Sequence, residues 1–227
     1  MQIEIEGIAV DLQKKNIKNL HIAVYPDGRV RVSVPKRMKD EAVRAFVLSR
    51  LAWIEKHREA VAAMPREKEK ECVSGETFYV FDRKCSLKVI ENASKTEVCL
   101  LGDEIFLFTK ENTSKEKRKV ILNDWYRALL KEKISFYLPK WEAITGLFAE
   151  EWHVKDMSTR WGSCNPRAKR IWLSLSLAQK PVGCLEYVIL HELTHIKVKN
   201  HGKDFKALLD IYMPSWREKK KLLNQKE

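Results

Sequence analysis

His191-Glu192-Leu193-Thr194-His195 is the most informative stretch of this chain. On a helix, imidazoles at i and i+4 stand one above the other and can reach the same metal ion. Glu192 lies about 100° further round the helix. It is poorly placed as a third ligand in the same plane, but it can act as general base on a water activated by that metal. Leu185, Ile189, Leu193 and Ile196 form a separate apolar stripe. The helix can therefore pack on a core through the stripe while both histidines turn to a cleft. It is expected to open at Pro181, a favourable first-turn residue, and to run to about Val198.

His201 follows His195 by six positions, and Asn200-His201-Gly202 can end the helix and fold the chain back beneath the metal. Three imidazoles and one water make the open tetrahedral site that catalysis needs. Metzincins share the histidine spacing but carry glycine where this chain has Val198, and Met213 reads as an ordinary packing residue. The metzincin pattern is therefore not met.

Upstream, Trp152–Met157 and Arg170–Leu177 read as strands, with Ile171, Leu173, Leu175 and Leu177 on one face of the second. Thr113-Ser114-Lys115-Glu116 has capping-box spacing and opens an amphipathic helix to about Leu138. A separate helix is expected over 140–149, after Pro139. Strands are also expected over Thr77–Phe108, Cys85–Ile90 and Glu104–Phe108 being the clearest. Near the N-terminus, His21–Tyr25 and Arg29–Val34 flank Pro26-Asp27-Gly28, a hairpin turn signal. Asp40 is expected to cap a helix to about Met64, followed by a linker from Pro65 through the mixed-charge run Arg66–Glu71. These elements predict an α+β chain in two parts: a β-rich region over 1–112 and a metal-dependent hydrolase domain over 113–227. No repeat of 20–50 residues stands out, beyond a distant likeness between the two β-rich pieces.

The composition is that of a globular chain with a basic tilt. Of 227 residues, 43 are Lys or Arg and 31 Asp or Glu, a net charge of +12. Eight glycines and seven prolines are too few for a collagen-like or disordered chain. No run reaches the ~18 apolar residues of a membrane helix, and the first residues lack a signal-peptide pattern, so a cytoplasmic protein without membrane contact is expected. The five cysteines have no zinc-finger spacing and are expected to be reduced. The basic residues are scattered, densest over the last 30 or so positions, so nucleic acid is a possible partner through a basic surface, without a recognisable reader motif.

Thr159-Arg160-Trp161-Gly162-Ser163-Cys164, an aliphatic strand, Glu186–His195, Asn200-His201 and Phe205 together resemble the YgjP-like metallopeptidase domain. That group is in turn similar to the SprT-like and WLM minimal zinc proteases. The resemblance is strongest over 152–223 and extends to the hairpin near Pro26 and to Ser74-Gly75-Glu76. It implies a zincin-like C-terminal fold, Zn2+ held by His191, His195 and His201, Glu192 as catalytic base, and a peptide or protein substrate. It also implies an antiparallel edge strand above the cleft, a place that residues 170–176 would fill, beside which a substrate peptide could add as a further strand. Arg160 and Trp172 are the candidate substrate-binding residues. Arg160 can stabilise an oxyanion, bind a substrate carboxylate or phosphate, or pair with a buried acid. Cys164 can be read as a nucleophile without a visible base or as a fourth zinc ligand. Other readings are hydrolysis of a non-peptide substrate such as a nucleotide phosphoanhydride, a DNA-associated SprT-like protease or binding module, and a scaffold that zinc merely stabilises.

Overall fold

The computed structural model describes residues 2–25, 27–62, 70–157 and 159–225. Within them the chain is mixed α/β, with six α-helices and three small sheets. It divides into two compact units, Met1–Glu69 and Lys70–Glu227. No helix among the described residues is long and apolar enough to cross a membrane.

In the first unit, β1 (Gln2–Ile5), β2 (Ile8–Lys15), β3 (His21–Val24) and β4 (Val30–Pro35) form a sheet in the order β1-β2-β4-β3. The central pair is parallel, with Val10 opposite Val30 and Leu12 opposite Val32, and the outer pairs are antiparallel. Alternation sends Val10, Leu12, Val30, Val32 and Val34 to one face, where they are buried with Val43, Val47 and Ile54. Those last three come from α1 (Asp40–Leu48) and α2 (Leu51–Ala62), so the single helix expected from Asp40 is broken at Ser49-Arg50. Lys39 rather than Asp40 occupies the N-cap, and Asp40 instead pairs with Lys14. At the hairpin, Gly28 adopts a left-handed φ of 83° and its N–H donates to Tyr25. Pro26 and residues 65–69 of the linker expected from Pro65 through Glu71 lie outside the described residues.

The second unit opens with β5 (Thr77–Val80), β6 (Arg83–Ile90), β7 (Glu97–Leu101) and β8 (Glu104–Phe108), in the order β5-β6-β8-β7. Its central pair is again parallel and its outer pairs antiparallel, so the two β-rich pieces share one topology. The division expected near residue 112 falls inside this unit. Phe78, Val80, Leu87, Ile105 and Leu107 are buried in one core with Leu122, Tyr126, Leu130, Leu185, Ile189 and Leu193. That shared apolar burial joins the sheet to the helical part of the unit.

Helix α3 runs unbroken over Lys115–Thr145, so no separate helix begins after Pro139. Proline removes the bond to the Ser135 carbonyl, but Ser135 is exposed and that carbonyl can turn to water. The N-cap is Ser114, whose hydroxyl accepts from Lys117 N–H at 3.4 Å, one residue past the Thr113 suggested by the spacing. Leu122, Tyr126, Leu130, Ile134, Leu138 and Trp141 form its buried stripe. The Tyr126 hydroxyl donates to the Tyr79 carbonyl at 2.9 Å and ties α3 to β5.

The third sheet has β9 (Glu151–Lys155), β10 (Gly162–Asn165) and β11 (Arg170–Ser174) in the order β10-β11-β9. Antiparallel β10 and parallel β9 flank β11. This corrects the expectation for residues 170–176: β11 is the central strand, and β10 is an edge. The strand also ends at Ser174, giving way to a 3₁₀ turn over Leu175–Gln179. Helix α4 (Val182–Lys197), with Pro181 at its N-cap, packs against β10 and β11 and between α3, α5 (Lys203–Tyr212) and α6 (Trp216–Asn224).

Candidate metal centre

Helix α4 carries both histidines of the i, i+4 pair. Its apolar stripe of Leu185, Ile189 and Leu193 is fully buried, while His191 and His195 keep partial exposure at a cleft of about 660 Å³. The helix ends at Lys197 with Val198 extended, and a short connection brings His201 back before α5 begins. His201 Nε2 lies 2.9 Å from His191 Nε2 and 3.1 Å from His195 Nε2. Phe205 is buried beneath them, with its ring centroid 4.7–4.9 Å from all three imidazoles.

The outer ring nitrogens have partners of their own. His195 Nδ1 is 3.1 Å from the Val198 carbonyl, and His191 Nδ1 is 3.4 Å from the Tyr187 hydroxyl. A carbonyl can only accept, so His195 carries its proton on Nδ1 and turns an Nε2 lone pair inward. Burial, followed by the neighbouring His195 and His201, pushes the His191 pKa down to about 3. Burial and His201 also lower that of His195, against the opposing carbonyl of Val198. The three Nε2 atoms lie close together, and a divalent cation can take a lone pair from each at once. The donor set therefore fits a metal ion. Among the described residues, this is the only group of His, Cys, Asp or Glu side chains that converges in that way.

Glu192 projects beside the triad and is 4% exposed. Burial pushes its pKa up to about 8, and the charge of Arg160 opposes that rise. Its Oε2 has no hydrogen-bond partner, while Oε1 lies against Gly162. A Cβ at position 162 would sit 2.6 Å from Oε1, so any larger residue here requires the carboxylate to move. Other residues of the Arg160–Cys164 motif also act near Glu192 or fix β10. The Trp161 carbonyl accepts from Ser174 N–H at 2.9 Å, and its indole N–H donates to Asn224 at 3.3 Å. Cys164 is half-buried in the cleft wall, its thiol pushed up to about 11 by burial and by the charge of Glu192. It lies outside the converging imidazole group.

Of the residues predicted from sequence, the cleft brings together His191, Glu192, His195, His201 and Arg160. Trp172 is absent from its lining. Ile171 and Leu173 point into the core, and strand alternation turns Trp172 to the other face, where it stacks on His153 with ring centroids 4.5 Å apart. Sequence reasoning did not single out Arg167, Asn165 or Tyr187. Only Tyr187 carried a legible signal, standing one helical turn before His191.

The register also shows which backbone groups of β10 are left unpaired by β11. Ser174 N–H bonds to Trp161, and alternation along an antiparallel pair then assigns Ser163 and Asn165 to β11. Gly162 and Cys164 turn their N–H and C=O groups to the open side, along the cleft wall. The chain matches the family model described as YgjP-like, metallopeptidase domain, over residues 18–226. No curated protein matches it.

Proposed function

The chain belongs to the YgjP-like metallopeptidase family, and from that premise we propose that it is a zinc-dependent peptidase with a zincin-like catalytic layout. The convergence of His191, His195 and His201 with Glu192 beside them carries this reading. His191, His195 and His201 would hold the metal ion through their converging Nε2 atoms. A bound divalent cation supplies Lewis acidity, lowering the pKa of a water and polarising a carbonyl.

The protein's own groups do the rest. A substrate backbone adds along the open edge of β10, pairing with the amides and carbonyls of Gly162 and Cys164. Glu192, buried with one oxygen unpartnered, takes a proton from the attacking water and returns it to the leaving amine. A raised proton affinity suits a group that must first accept a proton and then give it up. Arg160, at the cleft rim, faces the charge that develops on the substrate oxygen.

Elemental analysis of the purified protein tests the metal. About one zinc per chain is expected, and the His191→Ala/His195→Ala double variant should lose it. Glu192→Gln should keep the zinc and lose peptide turnover by about 10²-fold or more. A wild-type protein that takes up no zinc when zinc is supplied overturns the reading.

A further inference from the structure

Three cations on the cleft wall form no ion pair among the described residues, although the charge of Arg160 is felt by the buried Glu192. Arg160, Arg167 and Lys199 are exposed and line the same cavity as the histidines. Among the described residues none of the three has an ion pair, whereas nearby basic groups are tied: Arg170 to Glu151, Lys169 to Glu150, Lys140 to Glu186. Among the described residues, the only acid lining the cavity is Glu192, which is buried. The loop that carries Arg167 is ordered locally, since Asn165 Oδ1 accepts from the backbone N–H groups of Arg167 and Ala168 at 3.1 and 3.3 Å. Arg160 and Arg167 approach the cleft from the two ends of β10, and Lys199 from the connection after α4.

We propose that this cleft selects substrates bearing an oxyanion, a carboxylate or a phosphate, beside the scissile bond, with Arg160, Arg167 and Lys199 as its receptor. The proposal rests on the hydrolase reading of the same site and names its substrate class. Unpaired cations in a concave wall add their fields and draw anions inward. The guanidinium forks match the paired oxygens of carboxylate and phosphate, while Lys199 contributes a point charge. A substrate with lysines in those positions meets like charge and is rejected.

Binding, rather than turnover, tests it. The zinc-supplemented Glu192→Gln protein is titrated with a fluorescein-labelled glutamate-rich hexapeptide, with its lysine-rich counterpart and with inorganic tripolyphosphate as competitor. One anionic probe at least should bind, the lysine peptide at least tenfold more weakly, and Arg167→Glu/Lys199→Glu should weaken anion binding by tenfold or more. Tighter binding of the glutamate peptide assigns the receptor to carboxylates, and tighter binding of tripolyphosphate assigns it to phosphates. Equal affinity for both peptides without tripolyphosphate binding, or affinities unchanged in both the Glu and the Arg167→Ala/Lys199→Ala variants, overturns the proposal. Zinc content of the same samples is read separately, so a failure of the metal reading is distinguishable from a failure of anion selection.

Discussion

Gly162 on β10 makes room for the Glu192 carboxylate on α4: a Cβ there would come within 2.6 Å of Oε1, 2.9 Å of Cγ and 3.0 Å of Cδ. Glu192 is nearly buried, so its carboxylate can give way only toward the cleft that it lines. Gly162→Ala is expected to displace the carboxylate and lower kcat by about 10²-fold, the scale of an ångström-sized misplacement of a reacting group. Over-packing should also cost about 1–3 kcal/mol, read as a Tm lower by several degrees. Zinc content should stay at the wild-type level. An alanine variant with unchanged kcat and Tm would show that the carboxylate is not confined here.

Tyr187 stands one turn before His191, its hydroxyl 3.4 Å from Nδ1 and its ring stacked on Trp216 with centroids 6.2 Å apart. An outer partner fixes the orientation of an imidazole whose other nitrogen binds a metal. Tyr187→Phe keeps the ring and removes the oxygen. The zinc Kd, measured by competition with a chelator, should rise about tenfold while the Tm of the metal-free protein changes little. An unchanged Kd would reduce Tyr187 to a packing residue.

The Cys164 thiol, pushed up to about 11 by burial and by Glu192, binds its proton more tightly folded than unfolded. From about pH 9 the unfolded chain ionises first, so this group removes stability as pH rises toward 11. At pH 8 only about one folded molecule in a thousand carries the reactive thiolate. Iodoacetamide labelling followed by peptide mapping should therefore modify Cys164 at least tenfold more slowly in the native protein than in urea. Equal rates would restore it as a candidate nucleophile.

Chelation separates a catalytic metal from a purely structural one. The three imidazoles converge at the junction of α4 and the segment entering α5, so removing zinc should lower the Tm and loosen that junction, with protection from proteolysis falling near residues 198–202. Glu192→Gln should show the same zinc-dependent rise in Tm as the wild type and no turnover. Turnover that survives in this variant would exclude Glu192 as the base.

Local patterns were legible where the chemistry is local. The i, i+4 histidines and the apolar stripe on α4 follow from helical geometry, and the Asn200-His201-Gly202 stretch signals the turn that returns His201 to them. The passage of α3 through Pro139 was not legible, because whether a freed carbonyl reaches water depends on which face of α3 is covered. The likeness of the two β-rich pieces was faint in sequence, since many apolar residues satisfy the same alternation, yet strand order and direction make it plain.

The sequence by itself determined which face of α4 carries His191 and His195, because a single helix fixes those angles; the connection after Lys197 brings His201 to them. Only the tertiary structure decided that β10 rather than β11 is an edge, that Trp172 faces away from the cleft, and that Arg160, Arg167 and Lys199 share one wall. Strand order depends on which hydrogen-bonding edges are already occupied, and cavity walls on residues distant in the chain. Neither quantity is carried by any one segment.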